Sequence, residues 1–286
     1  RVIKDYYQTI EATPNSVFDD LINVNQLTSF AESVPSKFND VLNDANEKMG
    51  VTTDSIESVQ LGCNGLIYLT KKVYAPTSYS SVLFPTVIDT TNFSIINNAI
   101  QNMNYDKYLN SMVSEYTFLI PTNKGLLSYV DPVSYGQATP KLWEFYLDLS
   151  KGSSKQICAN VYDCILSEDG TWMKDESAKP IQVTGGTDNG VIKDRMEDLL
   201  DNIIVTRAYD PSKKYYMTKG RSFVKIDKVG EDIYVSGSWQ VERNRPLKAT
   251  RVYDMENGTA IIIDGPVMGT RNSVAKTLWQ NPDFTE

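Results

Sequence analysis

The sequence predicts an α+β protein in which antiparallel β-strands pack with several α-helices. Three observations carry that expectation. Tyr116-Thr117-Phe118-Leu119-Ile120 is a run of strand-forming residues that meets Pro121, which ends ladder pairing, and Thr122 or Asn123 can then cap a helix through 124–130. Asn257-Gly258 is a hairpin dipeptide, and the apolar run Ala260-Ile261-Ile262-Ile263 after it is short enough for a buried strand rather than a helix; Asp264 and Pro266 follow. Elsewhere apolar residues recur at helical spacing, and from Lys214 onward they alternate with a period of two.

Taken in order, Phe38, Val41, Leu42, Ala45 and Met49 fall on one helical face, with Asp40, Asn43, Asp44 and Glu47 on the other. Asp44, Asn46 and Gly50 superficially suggest a calcium loop, yet the required spacing and terminal glutamate are missing. Helices are expected where Phe93, Ile96, Ile100 and Met103 recur, and again over Tyr105, Tyr108, Leu109 and Met112. After the Tyr116 strand a further helix is expected over Leu142–Leu149. The stretch from Gly152 to Gly190 is rich in Gly, Ser, Asp and Lys and reads as an insertion with its own hairpin, Gln156–Leu166 against a partner near 171–174. Ile192, Met196, Leu199, Leu200 and Ile203 form the apolar stripe of the next helix, whose Asp194, Glu197, Asp198 and Asp201 read as a solvated face. Strands are then expected at 215–218, 222–227, 233–236 and 249–254.

One internal repeat is visible. Asn64-Gly65-Leu66-Ile67-Tyr68-Leu69-Thr70, followed by Val73, Thr77 and Ser81-Val82, parallels Asn257-Gly258 followed by Val267, Thr270 and Ser273-Val274, with single-residue insertions. Two unrelated Asn-Gly hairpins would produce the same pattern. The Tyr116–Asn123 segment with Pro121, Thr122 and Asn123, and the Asn257, Gly258, Asp264 and Pro266 block, resemble the two signatures of the fasciclin (FAS1) domain family. That resemblance implies a fasciclin-like fold in tandem with the first unit incomplete. Residues 1–81 would be a partial or divergent first domain, and 82–286 a complete second one with an insertion at about 152–190. The first unit has no counterpart of the Pro-Thr-Asn strand, so it is either truncated or diverged. The tyrosine-histidine motif of the family is replaced here by Asn202 and Ile203, so integrin recognition attributed to that motif does not carry over.

Composition narrows the chemistry. The 286 residues contain no histidine, which removes the usual general base near neutral pH, the Ser-His and Cys-His nucleophile pairs and the commonest metal ligand. No catalytic residue, cofactor or metal ligand is therefore expected. The Gly-rich 184–190 loop lacks the Lys of a phosphate cradle. With a net charge of −8 and scattered basic residues, the chain carries no electrostatic footprint for nucleic acid. No apolar run approaches the roughly 18 residues that span a bilayer, and no leader-like segment is visible. The chain as given reads as soluble, and its opening on Arg1 favours a processed or trimmed product.

Cys158 and Cys164 could bridge if a turn separates them, but on one continuous strand they would lie about 20 Å apart. Cys63 reads as a small buried hydrophobe. Seventeen Tyr and four Trp suit protein interfaces and sugar stacking alike. The resemblance implies a non-catalytic extracellular adhesion or interaction protein. Its likeness to cell-surface lipoproteins of Bacteroidetes further implies an extracytoplasmic site on the bacterial outer membrane, held by a lipid anchor outside this chain and accessory to a SusC/SusD-type nutrient-uptake complex. The expected partner is a protein at the cell surface, contacted through the 152–190 insertion, with glycan or small-ligand binding through exposed Tyr and Trp as the alternative.

Overall fold

The computed structural model describes residues 52–63, 66–71, 76–151, 156–168 and 170–269. The helix expected over 38–49 and the Asn64-Gly65 turn lie outside them. Strands β1 (Ile56–Leu61) and β2 (Leu66–Thr70) form a separate antiparallel hairpin. Three short helices follow, α1 (Phe84–Ile88), α2 (Ser94–Asn102) and α3 (Tyr105–Leu109), and they lead into β3 (Tyr116–Pro121). Ile95, Ile96, Ala99 and Ile100 are the buried stripe of α2, at the spacing that marked the helix in the sequence.

A seven-stranded sheet supplies the largest share of the main core. It contains β3, β9 (Ile204–Val205), β10 (Tyr215–Met217), β11 (Phe223–Val229), β12 (Asp232–Ser236), β13 (Leu247–Met255) and β14 (Gly258–Ile263), in the spatial order β10-β11-β12-β13-β14-β3-β9. Every pairing is antiparallel except that of β14 with β3. Its two end strands meet where Val205 bridges Thr218 and the Lys219 amide donates to the Ile204 carbonyl at 2.7 Å. The sheet thus turns on itself and pairs its own edge.

Both β3 and β14 are buried almost throughout, as expected of a parallel pair covered on both faces. A helix, α4 (Gly190–Ile203), lays Ile192, Met196, Leu199, Leu200 and Ile203 into the same core. Its Asn189 side chain accepts from the Val191 amide at 3.0 Å, which fixes the start. A fifth short helix, α5 (Ser238–Glu242), lies between β12 and β13.

The second sheet runs β4 (Tyr129–Val130), β5 (Lys141–Asp148), β6 (Gln156–Leu166), β7 (Trp172–Lys174), with β8 (Ile181–Val183) also paired to β6. Three sequence expectations are corrected here. Leu142–Leu149 is not helical: it is β5, matched to β6 over eight residue pairs. Leu142, Tyr146 and Leu149 satisfy helical spacing, but Trp143 and Phe145 also satisfy a period of two, and the long ladder with an aromatic inner face decides for the strand. The helix over 124–130 shrinks to a 3-10 turn, Gly125–Ser128, because Tyr129 and Val130 leave it to pair with Trp143 and Leu142 as β4. The 152–190 stretch does carry the expected hairpin, with Ile165 opposite Met173. It is also integral to the fold, since Ile157, Ala159 and Val161 of β6 enter the main core.

Candidate functional site

The two motif segments named from sequence are brought side by side. Gly258 to Ile263 pair residue for residue with Tyr116 to Pro121 in parallel register. Gly258 has φ 137°, and a Cβ there would sit 1.9 Å from the Tyr116 carbonyl oxygen, so only glycine allows the strands this approach. Asn257 is buried and its side chain is fully engaged. Its Oδ1 accepts from the Val82 amide at 2.8 Å, and its Nδ2 donates to the carbonyls of Leu109 at 2.7 Å and Ser111 at 3.1 Å. One amide thus ties the turn to the segments before α1 and after α3.

At the other end, Thr122 and Asn123 divide two capping tasks. The Thr122 hydroxyl accepts from the Gly125 amide at 3.1 Å, and it lies 3.3 Å from an Asp264 carboxylate oxygen. Asn123 caps a helix distant in sequence: its Oδ1 accepts from the Ile95 amide at 3.1 Å, while its Nδ2 donates to Thr91 and Ser94. Pro121 ends β3, and the Pro266 carbonyl accepts from Gln240 at 2.9 Å. All seven signature positions therefore work as framework.

Asn202 and Ile203 end α4. The Asn202 side chain accepts from the Ser222 hydroxyl, whereas Ile203 is fully buried. Beside them the Tyr105 hydroxyl donates to Asp201 at 2.7 Å and the Lys219 ammonium does so at 2.5 Å, with Lys219 also 4.8 Å from the Tyr105 ring centre. Burial, and then the hydrogen bond to Asp201, push the Tyr105 hydroxyl far above the ordinary phenol range. That trio is a closed network that pins α4 to the 218–222 turn. On the same helix, Arg195 reaches Asp131 through Nε at 3.2 Å and Nη2 at 2.9 Å and covers the Trp143 ring. The remaining acids of the helix face, Asp194, Glu197 and Asp198, are exposed.

The possible disulfide between Cys158 and Cys164 is corrected: both thiols are free and lie on the single continuous strand β6, six positions apart. At about 3.4 Å per residue that is roughly 20 Å, far beyond bridging distance. Burial, with the Asp163 carboxylate adding to it, pushes the Cys164 thiol up to about 11. Cys63 is exposed rather than buried, because the hairpin beside it is itself uncovered.

Among the described residues no group of three or more Cys, Asp or Glu side chains is placed to hold a metal ion, and no helix is long and apolar enough to cross a membrane. Trp143 and Trp239 are buried and Trp172 is half-buried, which removes them as open stacking platforms. What the described surface does offer is apolar side chains on three hairpins, with Val59, Leu61, Ile67 and Leu69 on β1–β2. On β6–β7 these are Ile165, Leu166 and Met173, and the turn is held by Arg243 donating to the Gly170 carbonyl and Arg245 to Thr171. On β10–β11 they are Tyr215, Met217 and Phe223. Sequence reading named the strands but missed these faces. Alternation around the 218–222 turn, joined to the density of lysine there, was the signal available.

No family model matches the sequence, and no curated protein sequence matches it. Among solved structures the chain is similar to a FAS1 domain pair from the insect cell adhesion molecule Fasciclin I. The identity is 11%, the TM-score is 0.37, and the match covers 73% of this chain and 57% of that one. The chain thus spans little more than half the length of that structure. The feature of this chain that carries the resemblance is the pair of motif segments laid side by side in β3 and β14.

Proposed function

We propose that this chain is a non-catalytic interaction protein of the fasciclin type, working outside the cytoplasm and binding another protein at a cell surface. The single observation that carries the reading is the exposed apolar face of the β6–β7 hairpin. The hairpin lies within the 152–190 segment and displays the cross-strand pair Ile165–Met173 to solvent, with its turn pinned by Arg243 and Arg245. Exposed apolar side chains on a rigid pair of strands suit recognition. Two features support the absence of chemistry: the distinctive polar residues Asn123, Asn257, Asp131 and Arg195 are spent on internal bonds, and the buried Cys164 thiol stays protonated near neutral pH.

The finer proposal is a tandem protein with an incomplete first unit at 1–81, anchored by lipid on a bacterial outer membrane and accessory to a SusC/SusD-type uptake complex. A mild-detergent pull-down of tagged protein from its native membranes tests it. A stoichiometric outer-membrane partner, lost with the double variant Ile165→Ser/Met173→Ser, is the expected result. Recovery of the chain alone, or capture indifferent to that variant, would overturn it. Excising the whole 152–190 segment is unsuitable, because it removes β6 from the core.

A further inference from the structure

The β10–β11 hairpin alternates over Tyr215–Met217 and from Phe223 to Asp227. Tyr216, Val224 and Ile226 point inward and are buried, while Tyr215, Met217 and Phe223 point outward and are 64%, 52% and 65% exposed. Register places Met217 opposite Phe223 and Tyr215 opposite Lys225, so the four side chains form one continuous patch. Among the described residues none of the outward apolar groups belongs to a buried cluster. A lone exposed apolar residue is ordinary, but three adjoining ones of types enriched at interface centres are not.

Charge says what covers the patch. The chain carries −8 overall, yet residues 207–230 hold seven basic residues and only two acidic ones. Three of these basic groups border the patch: Arg221 is exposed in the turn at its end, and Lys214 and Lys225 flank Asp227 beside Tyr215. Asp227 neutralises part of that charge and leaves the border cationic. An apolar centre with Tyr, Met and Phe and a cationic rim fits a polypeptide better than a polyanion, which would need cations in its path rather than around it.

We propose that the outer face of β10–β11 docks an acidic segment of a partner protein, with Met217 and Phe223 buried at the centre and Arg221, Lys214 and Lys225 steering its approach. This rests on the interaction reading above and adds a second surface and the partner's chemistry to it. The test is selection of a random 12-residue peptide display library on the full chain, followed by binding of the synthetic winners. Winners should pair Asp or Glu with aromatic or aliphatic residues. Their affinity should fall at least tenfold in Phe223→Ser and in Lys225→Glu, and about fivefold between roughly 50 and 300 mM salt. Phe223 points to solvent, so Phe223→Ser should melt as the wild type does; Lys225→Glu, which trades the Asp227 ion pair for a second carboxylate, should melt somewhat lower yet stay folded, and it stands in if Phe223→Ser alone does not fold.

Winners without an acidic bias, or winners indifferent to both variants, overturn the proposal. So does variant-dependent binding of phosphatidylserine vesicles or heparin in the absence of peptide winners, or self-association at low salt that the variants abolish. Winners sensitive only to Ile165→Ser/Met173→Ser would overturn it while sustaining the interaction reading; a library with no winners overturns it as well.

Discussion

The molecule contains two hairpins that follow the same Asn-Gly pattern, and they have opposite fates. In β13–β14, Ala260, Ile261 and Ile263 are fully buried; in β1–β2, Leu61 is 85% exposed and Leu69 53%. The local sequences are comparable, so the turn and strand propensities do not make the difference. β14 has a third strand on its free edge, β3 in parallel register, and Asn257 ties its turn to Val82, Leu109 and Ser111. β2 pairs only with β1 among the described strands. An isolated two-stranded ribbon is marginal in water, so what stabilises an Asn-Gly hairpin here is the neighbour that completes it.

The comparison breaks most sharply at Gly258. Gly258→Ala drives a methyl into the Tyr116 carbonyl and forces an unfavourable φ, and should destabilise by at least about 3 kcal/mol. A thermal melt near the wild-type midpoint would show that the two motif strands do not approach as closely as described.

Next come paired truncations. Ile261→Ala removes a fully buried side chain and should cost about 3–4 kcal/mol in urea unfolding, while Leu69→Ala should change stability by less than about 1 kcal/mol. Equal losses at both sites would mean that β1–β2 is covered in solution, and would sharpen the comparison into evidence for a completed first unit. Asn123→Ala should cost about 1–2 kcal/mol, the value of a cap that here serves a helix outside its own segment. Slower hydrogen exchange confined to the start of α2 would contradict it, because loss of the cap must raise exchange there.

Much of this contrast was legible in the sequence, and the rest was hidden for identifiable reasons. Strands at Tyr116, Phe223 and Ile233 announce themselves by β-branched and aromatic alternation, and α4 by its stripe from Ile192 to Ile203. Leu142–Leu149 misled because eight residues can satisfy both periods, and only the ladder to β6 resolves them. Pairing of β3 with β14 spans most of the domain, and no local pattern encodes which strand lies beside which. Asn123 is recognisable as a cap, but the helix it caps precedes it by nearly thirty residues. The exposed β10–β11 face was hidden by register: Tyr215 and Phe223 become neighbours only once Met217 is known to oppose Phe223.

The gentlest probe of the comparison leaves the sequence unchanged. Cys63 lies beside the uncovered hairpin and is exposed, whereas Cys158 and Cys164 are buried on β6. Burial raises the Cys164 thiol to about 11, so near pH 8 its thiolate fraction is small as well as shielded, and reactivity follows the thiolate. The native chain should therefore react with DTNB at one thiol promptly, and at all three after denaturation without reductant. Raising the pH toward the Cys164 value should speed its labelling only where the strand also opens, because access and ionisation are both required. Two prompt thiols would place β6 among the loosely held strands. No prompt thiol would indicate that the first hairpin is covered, and only one thiol after denaturation would restore the Cys158–Cys164 bridge that the single continuous strand forbids.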